Sequence, residues 1–405
     1  MFRKLEGLED PEHPLLGPNR RGLRLAGMLQ GAAGGGAGRG GRAARGVHLL
    51  ATLFVLSQYA ELWLLRRDLG LALRNLSITM LSTVCVVKAW TFVGWQRDWT
   101  DILDSISRKE REQRARGGGG GRLVHQYIRY SRVVTYLYWA LVALTVLTVV
   151  LAPLAAYLSS PAFQDEIRRG DAAYPEIMSS WVPFDKTRPP GYWLYVLEHA
   201  VICVYGGGIV ATYDANAVAI MTFFAGQLRL LRADCAAIFG DDLRPASDHQ
   251  ALQNIRDCHQ QHLFLIKYSR LFDSLLSPVM FLYIIICSLM ICCSAIQLTK
   301  AGTTRMEQVW ITEYLLALVA QLFLYCWHGS RALHTSMEVE GGVYGAAWGG
   351  RRAALRRAAL LLGGALRRRV ALTAGPFTTL TVPTFVAILK GSYSYYAILS
   401  QNEKE

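Results

Sequence analysis

Seven apolar runs divide the chain: Val47 to Leu65, Leu71 to Trp95, Val133 to Tyr157, Tyr192 to Phe224, Leu271 to Leu298, Val309 to Trp327 and Pro376 to Leu399. At about 1.5 Å per residue, each is long enough to cross a hydrocarbon core of about 30 Å as a helix. The pattern predicts an all-α polytopic membrane protein with seven transmembrane helices. The fourth run is long enough to project beyond the bilayer or to tilt strongly.

Within the last run, steps of three and four place Thr384, Ala387, Gly391, Ser394, Ile398 and Gln401 on one face, small or polar except at Ile398. Phe385, Ile388, Leu389, Tyr396 and Leu399 crowd the other. A small, polar stripe in lipid looks either at water or at a closely packed neighbour helix, and spacing alone leaves both open. Pro376 fits the first turn of such a helix, and Pro383 predicts a kink inside it.

The pieces between runs differ in charge. Lys and Arg number 8 in residues 1–45, 9 in 96–132, 6 in 227–270 and 8 in 329–369, against 2 in 66–70, 4 in 158–191 and 2 in 299–308. The positive-inside rule then gives a cytoplasmic N-terminus and an extracellular C-terminus, the inverse of a G-protein-coupled receptor. The expected organisation is a cytoplasmic segment over 1–45, a six-helix ligand-binding bundle over 46–328, a cytoplasmic packing segment over 329–372, and the last helix with its extracellular end over 373–405.

Composition agrees with a membrane class: 52% of residues are hydrophobic and the mean hydropathy is +0.22. The net charge of +13 is spread over loops instead of one stripe, so no nucleic-acid partner is expected. No cleavable signal peptide is expected in the first 45 residues, which hold a possible short helix from Asn19 to Gln30 and a Gly/Ala tract unable to order itself. The eight cysteines read as small hydrophobes, six of them inside apolar runs. The basic stretch RRAALRRAALLLGGALRRR reads as a packing helix, with membrane-surface binding the alternative, and Gly117 to Gly121 and Gly363-Gly364 read as loose insertions.

Catalytic and metal-binding patterns are missing, so neither an enzyme nor a cofactor is expected. His259 and His262 read as surface histidines without a third ligand at usable spacing. Among charged residues inside the runs, Glu61, Glu313, Lys88 and Asp214 fall near helix ends where snorkelling is cheap, leaving Glu198 and His199 as candidates for a buried polar role. The outer halves of helices two, three, four and six offer Asn75, Ile78, Thr79, Thr145, Thr148, Val149, Tyr195, His199, Ile202 and Tyr314. A mostly apolar cleft with a few hydroxyls suits a small volatile ligand, and plain helix packing explains the same residues. The Pro-, Ser- and aromatic-rich loop Leu158 to Gly191 is placed to lid that cleft.

SYSYYAIL near the C-terminus, preceded by TAGPF and P-T-F-x-x-I-L-K, together with YCWHG and the later Ser336, Val339, Tyr344 and Trp348, resembles the C-terminal signature of insect odorant receptors. The resemblance implies a subunit of a tetrameric ligand-gated cation channel, assembled with a common co-receptor in the plasma membrane, whose last helix lines the pore. It implies Ile398 at a hydrophobic outer gate beside Gln401, and Ser394 and Tyr395 in the family's terminal Ser/Thr-Tyr motif. The co-receptor itself carries a long insertion before its fifth helix; the short Gln227 to Arg270 segment here resembles an odorant-tuned subunit. A gustatory-receptor-like channel, a G-protein-coupled receptor and a transporter are the competing classes.

Overall fold

The computed structural model describes residues 12–29, 40–67, 69–116, 119–159, 161–169, 174–186, 188, 190–241, 244–299 and 305–402. Within them the chain is a bundle of helices: α1 (Gly17–Leu25), α2 (Gly40–Leu64), α3 (Leu69–Gly94), α4 (Gln96–Arg116), α5 (Gly119–Ser159), α6 (Pro161–Arg169), α7 (Gly191–Ala236), α8 (Asp248–Thr299), α9 (Arg305–Tyr344), α10 (Ala353–Leu366) and α11 (Val382–Asn402). Among the described residues, α2, α3, α5, α7, α8 and α9 are long and apolar enough to cross a membrane. α11 is not among them.

Several helices outrun their apolar stretches. α5 begins at Gly119, α7 continues to Ala236 and α8 starts at Asp248, so what reads as basic loop is helical. Gly119 to Gly121 open α5 and Gly363-Gly364 lie inside α10, so neither described glycine run is a loose insertion. Leu355, Ala359, Leu362 and Leu366 of α10 are buried, with α10 seated on α8 and α9. His262 is also buried, its ring nitrogen 3.4 Å from the Arg368 carbonyl, and is not a surface histidine. All eight cysteines are free thiols, every one buried except the half-buried Cys203. The Gly/Ala tract at 31–39 lies outside the described residues, while 40–45 already belong to α2.

The last helix starts six residues later than the apolar run predicts. Thr373–Ala374 and Thr378–Thr379 pair as a two-residue antiparallel ladder, and the turn between them holds Pro376 and Gly375, whose φ of +67° suits a residue without Cβ. Asp273 of α8 accepts from the Thr373 amide at 2.6 Å, and the Ser277 hydroxyl accepts from the Gly375 amide at 2.9 Å, tying this hairpin to the bundle. Pro383 consequently falls in the first turn of α11, where its missing N–H costs little, and no kink is needed.

At the basic end of the bundle the N-terminal segment folds back onto α4, α5 and α7. Asn19 donates to the Ala215 carbonyl, Arg20 pairs with Asp104 at 2.8 Å and Arg132 donates to the Pro14 carbonyl. Glu110 of α4 is fully buried and accepts from the Leu15 amide at 3.3 Å and the Tyr127 hydroxyl at 3.2 Å. Burial raises its carboxyl from the ordinary 4.5 to about 7, against the pull of these hydrogen bonds. Between those two values the folded chain keeps a proton that the unfolded chain releases, so stability falls as pH rises through the window and is level above it. The span corresponds to roughly 3 kcal/mol. Melting of the detergent-solubilised protein from pH 5 to 8 is expected to show that downward slope, and Glu110→Gln to flatten it; an unchanged slope in the variant assigns it elsewhere.

Candidate functional site

At the opposite end, the segment 174–186 runs back over the mouth of the bundle. Ile177 and Met178 are buried with Phe54 of α2, and Ile78, Val149, Val196, Ala200, Ile202 and Cys203 pack around them. Polar contacts hold this lid down. The Tyr195 hydroxyl lies 2.9 Å from the Met178 carbonyl and accepts from the Ser180 amide at 3.1 Å. His199 Nδ1 sits 2.6 Å from the Tyr195 carbonyl, which assigns the ring proton there and leaves Nε2 to accept from the Ser180 hydroxyl at 3.1 Å. Phe54 meets the same imidazole edge-on at 5.1 Å.

Lys186 fastens the lid's far end, 3.2 Å from both Glu61 of α2 and Glu176 of the lid itself. Burial works to lower this ammonium, yet Glu176, Tyr195 and Glu61 together hold it above its ordinary value. Glu61 is therefore an ion-pair partner of the lid and does not snorkel.

The ten candidate ligand residues separate into three sets. Ile78, Val149, Tyr195, His199 and Ile202 gather beneath the lid. Asn75 and Thr79 are buried one turn apart on α3: the Thr79 hydroxyl donates to the Asn75 carbonyl at 2.9 Å, while both side-chain amide atoms of Asn75 lack a partner. Tyr314 of α9 likewise buries an unpartnered hydroxyl. Buried polar atoms left unpaired are costly in an empty site and serve as ready hydrogen-bond groups for a ligand. Thr145 and Thr148 do something else: their hydroxyls lie 2.7 and 3.1 Å from the two carboxylate oxygens of Glu313, clasping α5 to α9. Glu313 too is held by protein groups and does not snorkel. Glu198 is exposed, among Leu194, Leu197 and Val201 on the outer flank of α7, so the buried role expected of it falls to His199 alone.

Deeper in the bundle lies a group that the sequence reading placed at helix ends. Lys88 is fully buried and its ammonium sits 2.5 Å from Asp214 Oδ1. The Tyr325 hydroxyl shares that oxygen at 2.6 Å, and Asp214 Oδ2 accepts from Tyr138 at 2.6 Å and Gln321 at 2.5 Å. Four donors on α3, α5 and α9 thus saturate one carboxylate on α7. The adjoining void, of about 10 Å³, is no larger than a single water requires. The missed signal is the coincidence of Lys88, Asp214 and Gln321 in three separate apolar runs, each too costly to bury alone.

A family model described as 7tm Odorant receptor matches residues 68–393. The chain belongs to the odorant receptor family. Relatives include Odorant receptor Or2 of Anopheles gambiae, 23% identical over 145 residues that cover 36% of this chain and 38% of that one. Odorant receptor 10 of Aedes albopictus is 21% identical over 53% of this chain and 57% of its own length, so the chain spans about half the length of these two curated relatives or less. Odorant receptor 82a of Drosophila melanogaster is 22% identical over 88% and 92%. The fold is similar to that of the insect olfactory receptor OR5 from Machilis hrabei solved in complex with eugenol, with a TM-score of 0.80 at 15% identity over 97% of this chain and 100% of the other. The odorant receptor chain is a multi-pass plasma-membrane protein.

In this receptor the last helix shows two faces. Phe385, Ile388 and Leu389 pack against the main core and Ser392 is buried, with Phe385 edge-on to Phe323 of α9 at 5.4 Å between ring centroids. Ala387, Ser394, Tyr395 and Ile398 are exposed on the single subunit, and Thr384 and Gly391 are half-buried. Ile398 is 59% exposed, comparable to the outward-facing aliphatic residues Leu137, Leu197 and Val204 of the long apolar helices. Lys390 shares the exposed side, and Gln401 continues the helix beyond it.

Proposed function

We propose that this receptor is an odorant-tuned subunit of a ligand-gated, non-selective cation channel, working in a heterotetramer with a common co-receptor. Its ligand is a small, largely apolar volatile molecule taken up beneath the lid. The observation that carries this reading is the lid itself: an apolar floor of Phe54, Ile78, Val149 and Ile202 closed by a segment that hangs on Tyr195 and His199. Burial against such a floor supplies affinity, and a few hydrogen-bond groups supply orientation.

The chain is oriented with its basic end and N-terminus in the cytoplasm, the lid outside, and the C-terminus outside. Residues 1–45 and 329–372 are then cytoplasmic, 46–328 hold the ligand-binding bundle, and 373–405 carry the pore helix. An epitope appended after Glu405 is expected to label on intact cells; labelling only after permeabilisation overturns the orientation.

The ligand site is tested by current recording in cells that co-express a co-receptor, with G-protein signalling blocked. His199→Ala removes its one lid hydrogen bond and Tyr195→Phe those of its hydroxyl to Met178 and Ser180, each bond worth about 1 kcal/mol, and both are expected to shift half-maximal ligand concentrations by roughly fivefold or more. Surface expression should hold. Unchanged concentrations and rank order for every active volatile would remove the lid from the site.

A further inference from the structure

The basic end carries a second opening, unconnected with the lid. Leu123, Gln126, Tyr127 and Tyr130 of α5, Thr222, Gly226 and Arg229 of α7, and Arg331 of α9 line a cleft of about 230 Å³. Room of that size exceeds several times the roughly 30 Å³ that one water occupies in the liquid. One wall is closely packed: a Cβ on Gly226 would collide with the Tyr127 ring, and Tyr127 is itself hydrogen-bonded to Glu110 and Gln227. Arg331 lies over the Tyr130 ring at 4.8 Å, and the Tyr130 hydroxyl is 3.3 Å from His328 Nε2.

Two guanidinium groups thus enter one cleft, and among the described residues neither has a carboxylate within ion-pair distance; the nearby Glu338 is paired with Arg232 at 2.7 Å. A purely structural arginine pair is normally neutralised, whereas a pair left open matches the fork geometry of phosphate oxygens. Position adds to this. Tyr130 lies just before the apolar run of α5, Arg229 just after that of α7 and Arg331 just after that of α9, so the cleft sits at the level of lipid headgroups. Given the orientation proposed above, that is the cytoplasmic leaflet, where basic pockets between helices take phosphorylated headgroups.

We infer that the Arg229–Arg331 cleft between α5, α7 and α9 binds a phosphorylated anion of the inositol phosphate class, either on a lipid or free. Purified full-length receptor in neutral detergent micelles, titrated with fluorescent phosphatidylinositol 4,5-bisphosphate, reads this by polarisation without depending on orientation in a membrane. The wild-type chain is expected to bind saturably, and the Arg229→Gln/Arg331→Gln pair to bind at least tenfold more weakly. The exposed Gln126→Glu, which adds an anion at the rim without touching the packing, should weaken binding as well. Arg122→Gln/Arg129→Gln on the same stretch of α5, outside the cleft, should stay within twofold. Competition by soluble inositol 1,4,5-trisphosphate at comparable concentration identifies a free phosphate as ligand, and failure to compete identifies the lipid. Equal binding by the Arg229 and Arg331 variant and by Gln126→Glu, or equal competition by phosphatidylserine at matched charge, overturns the site.

Discussion

Asp214→Asn is expected to destabilise the receptor by about 3–5 kcal/mol, because it leaves the Lys88 ammonium buried without a counter-charge. The other donors cannot compensate: Tyr138, Tyr325 and Gln321 all point hydrogens at the same group, and an amide can accept on only one of its two atoms. A loss of that size is a large share of the stability of an ordinary domain, so most of the variant should fail to reach the cell surface. Replacing both charges, as in Lys88→Met/Asp214→Leu, removes the uncompensated ion and should recover part of the loss, the remainder being the buried donors of Tyr138, Tyr325 and Gln321 left without their acceptor. Surface labelling and melting of the solubilised chain decide it. Wild-type expression and melting for Asp214→Asn would mean that the network is not a structural pin.

That network also explains where reading the sequence stopped. Lys88 and Asp214 are 126 positions apart and lie near the ends of their apolar runs, so each alone looks like a side chain reaching for water. In the fold α7 continues twelve residues past its run to Ala236, so Asp214 lies well inside the bundle, and Lys88 of α3 is buried against it. Hydrophobic periodicity records which helices can enter a membrane, because that depends on a run's own composition. It does not record how far a helix continues into water, where helices pack on one another and polar residues suffice. The same limit displaced the start of the last helix: Pro376 and Pro383 each fit a first turn, and only the hairpin anchored on Asp273 and Ser277 selects Pro383.

At the lid the sequence was more informative. Tyr195 and His199 were legible as residues of the cleft beneath the loop, but not as the groups that hold the loop down through Met178 and Ser180. Thr145 and Thr148 were legible as intramembrane hydroxyls but not as the clasp on Glu313, because a hydroxyl in lipid takes whichever acceptor the neighbouring helix presents. The fold moreover offers a continuous physical route between the two ends of the proposed mechanism. α9 carries Tyr314 at the lid end, Gln321 and Tyr325 in the buried network, and Phe323 against Phe385 of α11.

Ile398→Ser is expected to raise the ligand-free current several-fold when the receptor is expressed with a co-receptor. On the proposed pore reading, a ring of apolar side chains near the outer end closes the channel by dewetting it, and opening moves that ring outward or brings polar neighbours such as Ser394 into the wall. A hydroxyl at the ring lowers the cost of water there and shifts the resting equilibrium toward the open state. Only some of the ring's side chains come from this subunit in a mixed tetramer, so the gate should leak and not vanish. Leu389→Ser supplies the contrast, because Leu389 packs against the core on the opposite face. There the change replaces buried apolar surface with an unpaired hydroxyl, costs about 2–4 kcal/mol, and should lower surface expression with little effect on the resting current of the channels that arrive. Single-channel recording of both variants beside the wild type separates the faces: Ile398→Ser at the surface with normal resting current and conductance would mean that the exposed face of α11 does not form the gate.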